Sequence, residues 1–271
     1  MLASISRRAI LGIYALIIII PLTVVGFGSF KSTQELFEGP FSLPRSLSPA
    51  NYAEVIGGQD LGSSFWNSVI VTAVSVPVTL FIASLAGYAV SRLKGFVSWA
   101  IFGFLVLGMA IPAQANMVPL YVLFGRLGLL DNLQGLILAN VVSTLPIAVF
   151  ILGGFMRTLP KELYEASSID GTGLWKTYAS IALPLSTPSI AAAAIFLFVI
   201  HWNELLYPLL FIQSPGNRTL PLALLSFQGE FQTNYPLLFA GVILASLPVV
   251  VAYIFLQRYF VAGITAGASK G

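Results

Sequence analysis

The chain has 271 residues, 57% of them hydrophobic and only 8% charged, with a formal net charge of +3 and a mean hydropathy of +0.91. That balance excludes a soluble globular domain and leaves room for about six helical spans of roughly 20 residues each, an all-α membrane fold. The chain has no Cys and one His, His201, which excludes disulfide frameworks, thiolate chemistry and His-rich metal sites.

In chain order, Arg7-Arg8 precede an apolar run over 9–30. The run exceeds a signal-peptide core of roughly 7–15 residues and has no small-x-small cleavage site, so an uncleaved first span is expected. Residues 31–65, with Pro40, Pro44 and Pro49, read as an external loop with short helical pieces, best over 49–56. Spans follow over 66–91, 97–124 and 133–155. Pro112 and Pro119 predict a kink or break in the third, tolerated where freed carbonyls meet other helices or water. Further spans are expected over 183–212 and 236–256, with a polar segment over 213–234 between them.

The most informative stretch lies between the fourth and fifth spans, over 157–182. Pro160 suits a first helical turn, and Glu162 complements the positive end of the helix dipole. Leu159, Leu163 and Ala166 give one apolar face. Asp170-Gly171 then breaks the helix, because glycine tolerates left-handed backbone. A second short helix carries Leu174, Tyr178 and Ile181 and leads through Leu183-Pro184 into the fifth span. The local physics predicts a helix–turn–helix lying against a membrane surface.

The basic residues are scattered along loop ends, which speaks for topology signals and against nucleic acid. With both termini and the 157–182 loop inside, the inner set is Arg7, Arg8, Arg92, Lys94, Arg157, Lys161, Lys176, Arg258 and Lys270, against Lys31, Arg45, Arg126 and Arg218 outside. This positive-inside bias predicts a cytoplasmic loop and cytoplasmic termini.

The order Glu165-Ala166-Ser167-Ser168-Ile169-Asp170-Gly171, with Ile-x-Leu-Pro starting at Ile181, resembles the EAA loop of the membrane subunits of bacterial ABC importers. Ser167 departs from the usual Ala, a small-for-small change expected to pack. Ala86-Gly87-Tyr88-Ala89-Val90-Ser91-Arg92, Leu127-Gly128-Leu129-Leu130-Asp131-Asn132 and Trp202-Asn203-Glu204 are also similar to carbohydrate-type permeases. The ending from Gln257-Arg258-Tyr259-Phe260 to Lys270-Gly271 resembles the smaller permease of maltose-type sugar importers. The resemblance covers nearly everything after residue 65 and implies the type I importer permease fold, with a single transmembrane permease domain over 1–271.

It further implies a non-catalytic subunit in the bacterial inner membrane. A second permease, in a heterodimer, completes the pore; two cytoplasmic ATPases bind ATP and Mg; an extracytoplasmic binding protein delivers a sugar or sugar-like solute. No G-x-x-x-x-G-K-[ST] phosphate loop occurs in the chain, so no cofactor is expected in it and the energy comes from a partner. By the same resemblance Leu163, Glu165, Ala166, Ser167, Asp170, Gly171, Leu183 and Pro184 couple to the ATPase, the loop acting as a lever on the fifth span.

Glu204 is a carboxylate placed within a span, where an ionisable group is costly. It either lines a solute path together with His201, Trp202 and Asn203 or holds helices together; both readings stand. Gln114 and Asn116 near the break at Pro112 either face a cavity or mark a plain helix break. Gln228-Gly229-Glu230 either touches a binding protein or is a solvated loop. The rival function is a proton-coupled secondary transporter using Glu204, which predicts inverted repeats and further intramembrane carboxylates. An intramembrane hydrolase lacks an acid partner for His201 and a G-x-S-x-G elbow. The cargo itself is not encoded in any of these motifs.

Overall fold

The computed structural model describes residues 2–58, 61–93, 95–229 and 233–268, with side chains described over 7–58, 61–93, 95–229 and 233–255. Lys94, Glu230 and Lys270 of the sequence reading, and the Arg258 side chain, lie outside those residues. Two compact units are formed, one by Met1–Phe65 with Arg218–Leu247 and one by Trp66–Asn217 with Pro248–Gly271. Among the described residues, five helices are long and apolar enough to cross a membrane, or up to six if one bent pair is a single span.

In the first unit, α1 (Leu2–Gly28) is an apolar helix whose residues over 7–23 are all exposed, only its last turns being covered by the chain. Lipid is therefore its natural solvent. Two short helices follow, α2 (Thr33–Glu38) and α3 (Ala50–Gly58). Ser32 caps α2 by accepting from the Glu35 N–H at 3.2 Å. Lys31 is only 1% exposed, and its ammonium donates to the Gly39 and Ser42 carbonyls at 2.8 and 2.6 Å. Asn51 donates to the Ser29 and Lys31 carbonyls at 2.8 and 2.9 Å. The loop is thus stitched by buried donors that meet the backbone acceptors a loop would otherwise leave open.

Helix α4 (Leu61–Arg92) carries the chain into the second unit. There α5 (Gly95–Leu107) gives way to two 3₁₀ turns and then to α6 (Met117–Arg126). The third span, expected over 97–124 with a kink or break near Pro112 and Pro119, is broken there, the two halves meeting at 85°. The reason lies in Pro112: it has no N–H to continue the ladder and sits with extended backbone, φ −66° and ψ 133°. Helix α7 (Leu133–Met156) is intact despite Pro146.

Next come α8 (Lys161–Ile169), α9 (Leu174–Thr177), a π turn over Tyr178–Ala182, α10 (Leu183–Leu185) and α11 (Thr187–Trp202). The fifth span, expected as continuous over 183–212, is also interrupted. It stops at Asn203 and resumes as α12 (Leu206–Phe211). Helices α13 (Leu220–Leu224) and α14 (Tyr235–Ala268) complete the chain, α14 running past the end expected at 256.

The second unit's core packs α4, α7 and α11 through Val76, Ala83, Ala148, Leu152, Ala193 and Leu197. Small residues set the helix distance, since helices in lipid gain stability from close van der Waals contact. A Cβ on Gly87 would lie 2.9 Å from the Gly153 backbone nitrogen, so a larger residue would push α4 and α7 apart. His201 fastens the same three helices. It is buried, with Nδ1 at 2.6 Å from the Ser75 hydroxyl and Nε2 at 2.9 Å from the Thr144 hydroxyl.

Candidate functional site

The loop expected over 157–182 extends through α10, from the end of α7 to residue 185, and this 157–185 loop is built from the backbone up. Pro160 has extended ψ of 132° and precedes α8, whose first turn carries Glu162. At the far end the Asp170 and Gly171 N–H groups return to the Ala166 and Ser168 carbonyls at 3.0 and 3.1 Å. Gly171 has φ +69°, the left-handed conformation that closes a helix and costs most residues about 1–2 kcal/mol.

The turn is then locked by hydroxyls. The buried Ser167 hydroxyl contacts that of Thr172 and lies 2.7 Å from that of Thr177. The Thr172 hydroxyl also donates to the Ser167 carbonyl at 2.7 Å. Ser167 is therefore a partner in a hydrogen-bonded knot, not only a small residue that fits in place of alanine. Thr172 and Thr177, which the sequence reading missed, are its counterparts. Their spacing around Gly171 was the available signal, because Ser and Thr favour turns through side chain–backbone bonds.

The face by which α8 is anchored differs from the expected one. Tyr164 and Ser167 are buried, whereas Leu163 and Ala166 are exposed and Ile169 is 86% exposed. The inward side was set by tertiary partners: Tyr88, Met156, Tyr178 and Ala182 form one cluster with Tyr164, with Leu159 and Leu183 packed against it. The Arg92 guanidinium lies 4.2 Å over the Tyr164 ring. Burial raises the Tyr164 hydroxyl above its ordinary pKa of 10.0, Arg92 opposing that shift. The Tyr178 hydroxyl sits 2.7 Å from that of Ser84, and the Tyr88 hydroxyl donates to the Leu174 carbonyl at 3.2 Å. Two tyrosines thus tie the end of α4 to the segment after the turn.

The link to α11 is irregular. Pro184 offers no N–H, and the preceding Tyr178–Ala182 turn is widened to a π turn. Glu165 and Asp170 are exposed, as is Pro184, while Leu183 is half-buried.

The second group is not assembled around one cavity. Asn116 lines a cavity of about 500 Å³ with Gly108, Ser143, Pro146 and Tyr207, but Gln114, His201, Trp202, Asn203 and Glu204 do not. Gln114 is exposed on a 3₁₀ turn. Trp202 is buried and stacked on Phe198, with centroids 5.8 Å apart. The Asn203 amide donates to the Val199 carbonyl at 2.8 Å. Glu204 accepts from the Leu206 and Tyr207 N–H groups at 2.7 and 3.2 Å. Its carboxylate therefore starts α12 at the positive end of that helix.

A further cluster was not singled out from sequence. Asp131, at φ 54°, accepts from the Gln213 and Ser214 N–H groups at 3.0 and 2.9 Å and from the Ser214 hydroxyl. Its own N–H donates to the Phe211 carbonyl at 2.9 Å, and Asn217 donates to its carbonyl at 2.5 Å. Asp131 thereby joins the α6–α7 connection to the segment after α12. Among the described residues no group of three or more His, Asp or Glu side chains is placed to hold a metal ion.

Residues 79–266 match the family model described as the binding-protein-dependent transport system inner membrane component. The chain is 35% identical over 253 residues to the melibiose/raffinose/stachyose import permease protein MelC of Bacillus subtilis, covering 93% of this chain and 91% of that one. It is 32% identical over 270 residues to the diacetylchitobiose uptake system permease protein NgcG of Streptomyces coelicolor, covering 99% and 89%. Its fold matches that of a bacterial ABC transporter involved in the import of the acidic polysaccharide alginate, with a TM-score of 0.84, 19% identity and 96% of each chain covered.

Proposed function

We propose a function on one premise: the chain belongs to the family of binding-protein-dependent transport system inner membrane components. It is a multi-pass membrane permease subunit of an importer, and it forms half of a translocation pathway for a sugar or a sugar-like solute. The sugar class rests on what relatives such as the melibiose/raffinose/stachyose import permease carry. A second permease completes the pore in a heterodimer. Two cytoplasmic ATPases bind ATP and Mg, and an extracytoplasmic binding protein presents the solute. The chain itself holds no cofactor in this reading, and both termini and the 157–185 loop face the cytoplasm.

One observation carries the coupling role. Helix α8 is held from behind by Tyr164 and Ser167 while Leu163, Glu165, Ala166 and Ile169 face outward. That is the form of a rigid docking element, and it suits insertion into an ATPase. Gly171 and Asp170 shape its end, and Leu183-Pro184 pass its motion to α11. The pore then alternates between two states biased by nucleotide. Asn116 at the broken span remains our candidate for contact with solute, because irregular backbone at membrane depth is tolerated where it lines a cavity. For His201, Trp202, Asn203 and Glu204 the packing favours holding helices; Gln114 has only its exposure to support a path role.

The test is reconstitution with the partner permease and ATPase, measuring ATP hydrolysis against a panel of sugar-loaded binding proteins. Stimulation by one loaded protein, lost in Glu165→Lys, is expected. Uptake driven by a pH gradient without any ATPase would overturn the reading in favour of a proton-coupled transporter.

A further inference from the structure

A groove of about 620 Å³ lies beside the last turns of α4, facing the start of α9. Leu85, Ala89 and Leu93 form one of its walls. They recur at four-residue spacing, so they make one stripe along the helix. Eight residues of helix rise about 12 Å, which nearly matches the roughly 15 Å hydrocarbon half of one leaflet. Ala89, the smallest of the three, leaves room at the middle of the stripe. Leu174 and Trp175 form part of the other wall and are 71% and 72% exposed.

The charge at this groove has one sign. Arg92 lines it at the C-terminal end of α4, and no carboxylate forms an ion pair with Arg92 among the described residues. The guanidinium lies over the Tyr164 ring, and its planar fork of N–H donors matches the geometry of a phosphate. An apolar slot one leaflet deep, with a cation at its mouth and an indole beside it, has the chemistry of a lipid tail and an anionic headgroup. An extended protein segment would need partners for its backbone, which the slot's leucines and alanine do not supply.

We propose that this groove binds an anionic phospholipid from the leaflet on the side of the 157–185 loop. One acyl chain lies along Leu85, Ala89 and Leu93, the phosphate meets Arg92, and Trp175 sits at headgroup level. The proposal uses the membrane placement of α4 and is independent of the coupling role.

The full chain is reconstituted in phosphatidylcholine nanodiscs carrying a minor fraction of brominated phosphatidylglycerol or brominated phosphatidylcholine. Subtracting the fluorescence of Trp175→Phe from that of the wild type isolates the quenching of Trp175. One arginine near the surface attracts an anionic lipid by about 1 kcal/mol, so phosphatidylglycerol should bind about fivefold more tightly than phosphatidylcholine. Arg92→Gln should abolish that preference and Arg92→Lys should keep it, which separates charge from loss of the Tyr164 contact. Ala89→Phe, which fills the slot, should weaken quenching by both lipids. Equal quenching by the two lipids in the wild type would overturn the proposal. So would a preference that survives Arg92→Gln, or a Trp175 that neither lipid quenches because protein covers the groove.

Discussion

Asp131 is held in left-handed backbone, φ 54°, a conformation to which short Asp and Asn side chains are better suited than others. Hydrogen bonds from the Ser214 hydroxyl and N–H, then from the Gln213 N–H, lower its pKa from 3.8 to about 2. A depressed carboxylate stabilises the fold at pH above its unfolded value, and the contribution is lost as pH falls through 3.8 toward 2. The melting temperature in detergent should therefore fall in Asp131→Asn at neutral pH. The gap between variant and wild type should close as the pH is lowered through that window. A gap that is constant with pH would show that the charge of Asp131 does not hold the clamp.

Ser167 makes a second residue-scale case. Ser167→Ala removes a buried hydroxyl that serves Thr172 and Thr177, while leaving those two 3.1 Å apart. Because they can still pair with each other, the loss should be modest, about 1 kcal/mol. Ser167→Val places an additional methyl in the knot and should cost more, about 1–3 kcal/mol. Thermal unfolding of both variants, with alanine above valine, checks the order. If alanine equalled wild type, the substitution would be the neutral small-for-small change that sequence alone suggested.

At the scale of elements, the helix–turn–helix was legible because its signals are local. Pro160, Glu162 and Gly171 each act within one turn of where they stand. Which side of α8 faces inward was not legible. Periodicity marked Leu163 and Ala166, but the side was decided by Tyr88, which is remote in sequence, and by Met156 and Tyr178, which lie on the elements before and after α8. The break before α12 did have a local signal, since Glu204 precedes an apolar run as a capping residue does. Reading it only as a charge at membrane depth hid that role. Asp131 had none, because its partners, from Phe211 to Asn217, all lie far downstream.

Two substitutions test the elements themselves. Gly171→Asn should retain uptake, because Asn accepts positive φ. Gly171→Pro should abolish it while the chain still inserts, since Pro fixes φ near −65° and deletes the bond to the Ser168 carbonyl. Uptake assays paired with membrane fractionation distinguish the two. Equal loss in both would mean that a side chain, not backbone shape, is what the turn excludes. Gly87→Leu places a bulky group where even a Cβ meets the Gly153 backbone. A destabilisation of about 1–3 kcal/mol is expected, read as a lowered melting temperature. Wild-type stability in that variant would show that α4 and α7 do not need their close contact.

At the scale of the whole molecule, the prediction concerns sidedness. Helix α7 has 24 residues, a length of about 36 Å, enough to cross a hydrocarbon core of about 30 Å. Leu127, 58% exposed, precedes it, and Ile169, 86% exposed, follows it. Arg157, Lys161 and Lys176 surround the second position, whereas only Arg126 adjoins the first. The excess of positive charge should hold the 157–185 loop in the cytoplasm. Because the native chain contains no cysteine, single-cysteine variants can be read without background. Ile169→Cys should react with a membrane-impermeant maleimide only in inside-out vesicles, and Leu127→Cys only in intact spheroplasts. The reverse pattern would invert the topology and leave α8 out of reach of any cytoplasmic ATPase. Reaction of both from one side would remove α7 from the set of spans. Since the proposed coupling would drive α8 only from the compartment that holds it, this labelling constrains that proposal before any transport is measured.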